Sequence, residues 1–265
     1  MKLPISKRLL LCADLVPVCG TVADVGTDHG YLGIHLLQSG KCARVIAADL
    51  REKPLESAKA NAAAYGIKAF PLGGRWHRAS PASPMTDEGA SDDGTPSFGM
   101  SFVQSDGLQK IEPGSFDALV LAGMGGDLIA RILAEAPWLD GGPYTLILQP
   151  QSAANDLRRW IGERRWSIDR ERLVRDGRFL YSVMAVRPGQ GRTLSPGEQY
   201  VSPALRREND PLYEQYLARV RRALDLTVQG ITQSEDPADL ARASYYKAAL
   251  DEITELCPAP ERMRG

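Results

Sequence analysis

The sequence predicts an α/β protein in which a largely parallel seven-stranded sheet ends in an antiparallel hairpin and is followed by a small helical domain. Three observations support this. Short apolar segments alternate with helical segments from residue 21 to about 165, only four residues separate the last two strand-like segments, and apolar residues recur at helical spacing beyond Pro203. Alternating strands and helices favour a parallel sheet with helices on both of its faces.

The elements follow in chain order. Five apolar segments predict the parallel strands: 21–25, 43–48, 101–104, 117–121 and 144–148. Helical segments follow four of these strands: 30–38, 53–65, about 126–136 and 153–165. Gly66 is a typical C-terminal cap for the second of these helices. Residues 2–19 resemble a signal peptide, but Asp14 interrupts the apolar run, so we expect an amphipathic helix there.

The end of the sheet indicates which nucleotide-binding fold this is. Residues 166–174 and 179–187 both have strand patterns, and only residues 175–178 lie between them. A parallel crossover needs a dozen or more residues, so these strands must be antiparallel. A dinucleotide dehydrogenase keeps its sixth strand parallel, whereas class I Rossmann-like methyltransferases end in such a hairpin.

The composition divides the chain into two predicted domains. Residues 1–190 carry the strand–helix alternation and end at a Gly-Gln-Gly linker at 189–191. Residues 71–99 are rich in Gly, Ser, Pro and Asp, which predicts a flexible insertion within that domain. Residues 200–258 show helical periodicity on both sides of a break near Pro237, which predicts a helical, coiled-coil-like hairpin.

Charge and cysteine content limit the classes of function. Lysine and arginine total 32 against 33 acidic residues, a net charge of −1, so a nucleic-acid partner would need a local basic patch. No apolar run reaches the roughly 18 residues of a membrane span. The four cysteines, none in a Cys-x-x-Cys pair, predict free thiols in a reducing compartment and no metal site. We therefore expect a cytoplasmic monomer.

Acidic residues follow three successive strands. Asp24 begins the turn Asp-Val-Gly-Thr-Asp-His-Gly, Asp49 ends the second strand, and Asp106 follows the third. Carboxyl ends of parallel strands meet at one edge of a sheet, where ligands bind. The extra acid Asp28 would repel a pyrophosphate but suits the sulfonium and ammonium of S-adenosylmethionine. Asp49 is expected to accept the ribose hydroxyls, and Asp106 the adenine amine, with Leu108 packed on the ring.

A glycine-rich loop at 122–126 (Ala-Gly-Met-Gly-Gly) follows the fourth strand. It lacks the Asn/Asp-Pro-Pro-aromatic element with which many amino-methylating enzymes of nucleic acid bind an exocyclic amine. Three glycines leave open space and free backbone groups instead. The loop therefore favours methylation of a ring nitrogen.

Four motifs together resemble the TrmK family of bacterial tRNA (adenine-N1)-methyltransferases. They are ISKRL (5–9), TDHGYL (27–32), AGMGG (122–126) and LILQP (146–150). The resemblance covers most of residues 4–187, and the C-terminal helices look like the family's coiled-coil-like domain. It implies a class I fold, S-adenosyl-L-methionine as methyl donor and adenine 22 of tRNA as target. The 71–99 insertion departs from the compact family pattern.

The family motifs place a set of residues at the cofactor: Asp24, Gly26, His29, Gly30, Asp49, Asp106 and the loop 123–125. Neighbouring residues complete the predicted cofactor site: Arg8, Thr27, Leu50, Gly107, Leu108, Ala122, Met124 and Gly125. Asp28 is the candidate catalytic residue, because a carboxylate stabilises the cationic N1-methyladenine or accepts a proton from N6. A helix cap is the alternative role for Asp28.

The tRNA requires further contacts. The predicted substrate-binding residues are Lys7, Tyr31, Gln149, Arg219 and Arg222. Four acids at the cofactor do not cancel the C-terminal arginines, so a near-neutral chain can still carry a local patch for tRNA. Two other functions stay open at this point: a methyltransferase of a small molecule or protein, and a noncatalytic cofactor-binding protein.

Overall fold

A computed structural model of the chain describes residues 3–71, 98–233 and 236–257. The strands are β1 (Cys19–Val25), β2 (Cys42–Asp49), β3 (Gly99–Gln104), β4 (Ala118–Met124), β5 (Thr145–Pro150), β6 (Trp166–Asp176) and β7 (Phe179–Gln190). The α-helices are α1 (Lys7–Leu15), α2 (Tyr31–Gln38), α3 (Glu52–Ala64), α4 (Gly126–Ala134), α5 (Ala154–Glu163), α6 (Pro203–Arg207), α7 (Tyr213–Thr232) and α8 (Pro237–Leu256). A short 3₁₀ helix covers Pro137–Leu139.

The strands form one seven-stranded sheet in the order β3-β2-β1-β4-β5-β7-β6. β1 to β5 pair in parallel, and β7 pairs antiparallel with both β5 and β6. The predicted fold class is therefore confirmed, including the terminal hairpin. The carboxyl ends of the five parallel strands meet at one edge, which is where a ligand is expected.

Both faces of the sheet are buried. In β4, Leu119 and Leu121 belong to one apolar cluster, whereas Ala118 and Val120 belong to the cluster on the opposite face. This follows from the alternation of side chains along a strand. A strand buried on both faces is apolar throughout, which is why the sequence showed these strands as short continuous apolar runs.

The C-terminal helices pack on the hairpin. A third apolar cluster joins Leu173 and Leu180 of the hairpin to Tyr216 and Leu217 of α7 and Ile253 of α8. Two twenty-residue helices, α7 and α8, are present as the periodicity indicated. Their coiled-coil character and the domain limits of 200–258 stay predictions.

Several predicted boundaries were wrong. β3 begins at Gly99, so the predicted insertion of 71–99 extends one residue too far and the strand begins two residues earlier than expected. Residues 72–97 lie outside the described part of the chain, and so does the predicted flexibility of the insertion. The predicted linker at 189–191 overlaps β7, which continues to Gln190. Within the described ranges, no helix is both long and apolar enough to cross a membrane.

Candidate functional site

A cavity of about 630 Å³ opens at the carboxyl edge of the sheet. Segments that follow β1, β2, β3 and β4 line it, together with the start of α1. The predicted residues that line it are Arg8, Asp24, Gly26, Thr27, Asp28, His29, Gly30, Tyr31, Asp49, Leu50, Asp106, Gly107, Ala122, Gly123 and Met124. Its size lies within the roughly 300–1,000 Å³ of small-molecule sites.

The turn after β1 is tightly held. The amides of Gly26 and Thr27 both donate to the carbonyl of Ala48, at 2.8 and 3.0 Å. Gly26 has φ +84°, and a Cβ there would lie 2.7 Å from the Met124 Cε atom. This position therefore needs glycine because of its backbone conformation, whereas the Met124 Cε atom is the end of a flexible side chain that can move aside.

Asp24 is a buried acid near the carboxyl end of β1, directly before this turn. Its side chain accepts a hydrogen bond from the Thr27 hydroxyl at 2.8 Å, and the residue is only 5% exposed. Burial raises the pKa of Asp24 from 3.8 to about 6, with a smaller raising contribution from the charge of Asp49 and an opposing one from the Thr27 hydrogen bond. A cationic ligand would compensate this carboxylate.

Asp49 ends β2 beside Asp24. Its Oδ1 atom accepts the backbone N–H of Arg51 at 2.9 Å, which orients the carboxylate and leaves the other oxygen for a ligand. The next residue, Leu50, is 60% exposed and also lines the cavity. An acid next to an exposed apolar side chain suits a ligand with a polar sugar and an apolar ring.

The segment after β3 contributes Ser105, Asp106 and Gly107 to the cavity. Asp106 is exposed there, as the predicted role requires. Leu108, in contrast, is 5% exposed, belongs to the apolar core and does not line the cavity. The expectation that Leu108 packs directly on a ligand ring is therefore not supported, because the chain turns at Gly107 and directs Leu108 inward.

Arg8 and the glycine-rich loop are joined through Gln149. The Oε1 atom of Gln149 accepts both Arg8 Nη1, at 3.0 Å, and the Gly123 backbone N–H, at 3.1 Å. Gln149 is fully buried and does not line the cavity, so it does not have the predicted direct contact with substrate. It holds Arg8 against the loop instead, and Arg8 lines the cavity.

Gly125, which was predicted to lie at the cofactor, does not line the cavity either.

Asp28 and His29 lie at the mouth of the cavity. Their side chains are 74% and 52% exposed, and the distance from His29 Nε2 to Asp28 Oδ2 is 3.4 Å. The His29 and Tyr31 ring centroids are 5.7 Å apart. Asp28 forms no hydrogen bond to the first turn of α2, whose N-cap is Gly30. The cap alternative for Asp28 is therefore wrong, and its carboxylate faces open space.

The predicted tRNA-binding cations lie outside this cavity. Lys7 is exposed on α1. Arg219 of α7 donates from Nη1 to the Leu180 carbonyl at 3.3 Å. Arg222 lines a separate cavity between α7 and α8. The structure thus leaves these residues free of the cofactor cavity but places Arg219 beside the hairpin.

Sequence reasoning missed part of the lining: Pro4, Ser6, Leu9, Arg51, Ser105, Leu128, Arg131, Ile132 and Gln151. Six of these nine lie just before α1, on its first turn or on α4, whose positions depend on tertiary packing. The opening motif ISKRL was the signal for the α1 group.

The described residues hold no cluster of His, Cys, Asp or Glu suited to a metal ion.

Comparisons with known proteins agree with this geometry. The profile of the TrmK family, described as tRNA (adenine(22)-N(1))-methyltransferase, matches residues 99–253, and a general methyltransferase-domain profile matches residues 5–70. The Bacillus subtilis tRNA (adenine(22)-N(1))-methyltransferase is 29% identical over 218 residues, which cover 80% of this chain and 79% of the relative.

Solved structures show the same likeness. The crystal structure of the B. subtilis M1A22 tRNA methyltransferase TrmK aligns with a TM-score of 0.75 at 25% identity, covering 97% of this chain and all of that one. A Streptococcus pneumoniae relative in complex with S-adenosyl-L-methionine aligns with a TM-score of 0.67 at 27% identity, covering 93% and 99%.

Proposed function

The chain belongs to the TrmK family of tRNA (adenine(22)-N(1))-methyltransferases, and we propose that its cavity binds S-adenosyl-L-methionine for methyl transfer to N1 of adenine 22 in tRNA. One observation carries the assignment of the site. Asp24, Asp49 and Asp106, which lie at the carboxyl ends of three successive strands, line one cavity at the sheet edge. The S. pneumoniae relative, structurally similar over most of its length, was crystallised with this methyl donor.

The residues present fit this ligand. Buried Asp24 suits the ligand's positive charge. The Asp49 carboxylate, of which one oxygen accepts the Arg51 N–H, suits the ribose hydroxyls. Exposed Asp106 suits the adenine amine, and exposed Leu50 the ring. Asp28, which also lines the cavity, would repel a pyrophosphate at the turn after β1, so the cavity disfavours a dinucleotide.

The chain's own contribution to the reaction is mainly positioning. Adenine N1 attacks the methyl carbon in line while the carbon–sulfur pair of electrons stays on sulfur, so the positive charge moves from sulfur to the adenine ring. The loop after β4 leaves space for the base at this point, and Gln149 fixes its Gly123 amide. Arg8 is held on the same loop, where its remaining N–H groups can bind an anionic group. Such preorganisation removes much of the entropic barrier.

Asp28 is the residue we propose for the charge that develops on adenine. It is exposed at the mouth of the cavity, next to His29 and Tyr31, and makes no capping bond. A carboxylate there stabilises the methylated ring or accepts the N6 proton. Tyr31 is proposed to contact the base, since its ring lies beside that of His29. We also keep the cytoplasmic location and the monomeric state as proposals.

The function is tested by methyl transfer from labelled donor to unmodified tRNA. The expected product is one N1-methyladenine per molecule, seen as a reverse-transcription stop at position 22 that a change of that adenine to guanine abolishes. Transfer to small molecules or proteins but not to tRNA would support the second class of methyltransferase instead. Donor binding without transfer to any of these would indicate a noncatalytic protein.

Replacing Asp28 with asparagine is expected to lower kcat by roughly 10²-fold, in the range of general acid–base catalysis. Affinity for S-adenosylhomocysteine should change much less than kcat, because this product lacks the sulfonium charge and the proposed role of Asp28 is toward the adenine. Single-turnover rates and calorimetry measure the two quantities. Asp127→Asn, on the exposed first turn of α4 and outside the cavity lining, is the matched control. An unchanged kcat in Asp28→Asn would remove the residue from the mechanism.

A further inference from the structure

The tip of the β6–β7 hairpin, residues 175–181, extends past the rest of the sheet. β7 pairs with β5 only at Met184 to Val186, so residues 179–183 pair with β6 alone. Because β7 runs antiparallel to β5, this unsupported part lies toward the carboxyl edge. That is the edge at which the cavity opens. The hairpin tip therefore lies beside the proposed active site.

The hairpin tip carries exposed aromatic surface. Phe179 is 49% exposed, although it is a large apolar residue, and its ring centroid lies 6.0 Å from that of Tyr181. The Arg178 guanidinium lies over the Phe179 ring, 4.9 Å from its centroid. The cation–π contact with Arg178 is favourable and orients the exposed ring, and the ring and cation together form the kind of surface on which an unpaired base stacks.

Arginines surround this aromatic surface. Arg175 and Arg178 are exposed on the tip, and Arg219 of α7 reaches it through its bond to the Leu180 carbonyl. The one acid within the tip is Asp176. Its carboxylate forms an ion pair with Arg8, whose Nε atom lies 3.7 Å away. The surface is thus locally positive in a chain of net charge −1. Arginine suits phosphate because its planar fork donates two parallel hydrogen bonds.

The hairpin tip is continuous with the cofactor cavity. Arg8 lines the cavity and pairs with Asp176 of the tip. On the other side, Tyr181 and Arg219 line a groove of about 220 Å³ that also includes Gln151, and Gln151 lines the cavity as well. A nucleotide strand with one base in the cavity could therefore continue onto the tip.

We propose that the hairpin tip is a stacking platform for an unpaired nucleotide of the tRNA, next to the target adenine. The proposal rests on the proposed function. The N1 lone pair is occupied in a Watson–Crick pair, so the target adenine must be unpaired when it is methylated, and its neighbours lose stacking. Phe179 and Tyr181 replace that stacking, while Arg175, Arg178 and Arg219 contact the phosphates.

Phe179→Ala tests the stacking contribution. Loss of one base–aromatic stack is expected to weaken tRNA binding by about 5- to 150-fold, measured as Kd by fluorescence anisotropy and as KM in the transfer assay. Affinity for S-adenosylhomocysteine should not change. Phe179→Trp should restore tRNA binding. Val18→Ala is the matched control, because Val18 is 62% exposed but lies just before β1, at the opposite edge of the sheet.

Arg178→Gln tests the phosphate contact. It should reduce the slope of log K against log salt by about 0.7–1, whereas Phe179→Leu should leave that slope unchanged. If the wild-type enzyme methylates tRNA and Phe179→Ala binds it equally well, the platform is wrong and the proposed function stands. If the wild-type chain neither binds nor methylates tRNA, the proposed function itself fails, and the platform fails with it.

Discussion

Replacing Arg158 with methionine is expected to lower the free energy of unfolding by about 3–5 kcal/mol, the cost of leaving one member of a buried ion pair without its partner. Arg158 and Glu171 are both fully buried. The guanidinium donates to Glu171 at 2.5 Å and from the same nitrogen to the Tyr216 hydroxyl at 3.1 Å. The Nη1 atom of Arg158 donates to the Gln199 carbonyl at 3.1 Å.

This pair joins three parts of the molecule. Arg158 lies on α5, Glu171 on β6 and Tyr216 on α7, so one side chain links the methyltransferase sheet to the C-terminal helices. Glu171 also accepts the Ser202 hydroxyl at 2.5 Å. Without the guanidinium, a carboxylate would remain buried beside neutral hydroxyls, and the contact of α7 with the sheet would weaken. Loosening of α7 would also move Arg219 away from the hairpin.

Urea unfolding of Arg158→Met measures the loss. Arg159→Met is the matched control: Arg159 is 44% exposed and forms an exposed ion pair with Asp156 one turn away, so a change below about 0.5 kcal/mol is expected. The double variant Arg158→Met/Glu171→Leu should recover much of the stability, because neither charge is then left unpaired. Equal stability of Arg158→Met and Arg159→Met would contradict the assigned role of the buried pair.

Arg158 also shows what the sequence could not reveal. It belongs to a run of arginines and acids that has the appearance of an ordinary solvated surface, and only the packing of α7 removes it from water. The three acids of the cavity were predictable, because each follows an apolar strand and parallel strands bring their carboxyl ends together. Gln149 was identified as important, but its partner Arg8 lies 141 positions away, so the role of holding Arg8 could not be deduced.

The second large effect is a gain in stability. Asp24→Asn is expected to raise the free energy of unfolding of the ligand-free protein at pH 7 by on the order of 1–3 kcal/mol, since each pKa unit corresponds to about 1.4 kcal/mol. Burial raises the pKa of Asp24 to about 6, so the folded chain holds an ionised acid at an energetic cost. An asparagine can still accept the Thr27 hydroxyl without that cost.

The sign of the effect sets its pH dependence. A raised folded-state pKa means that the folded chain binds the proton more tightly than the unfolded chain does. Between 3.8 and about 6 the unfolded chain releases this proton first, so the wild type loses stability relative to Asp24→Asn as the pH rises through that window. The advantage of the variant should therefore be close to zero below pH 3.8 and constant above about 6. Urea unfolding of both proteins at pH 3.5, 5 and 7 measures this difference.

The same substitution should weaken the binding of the methyl donor. This result would distinguish a ligand-binding role of Asp24 from a buried carboxylate that only destabilises the fold. The proposed ligand brings positive charge to the Asp24 carboxylate and so offsets its desolvation. Binding of S-adenosylhomocysteine, which keeps the ammonium group, should therefore strengthen in the wild type as the pH rises through about 6 and stay level in Asp24→Asn. Calorimetry at pH 5, 6, 7 and 8 gives both curves. If the affinity of both proteins changes with pH in the same way, the Asp24 carboxylate does not face the cation. Its burial would then destabilise the protein without contributing to ligand binding.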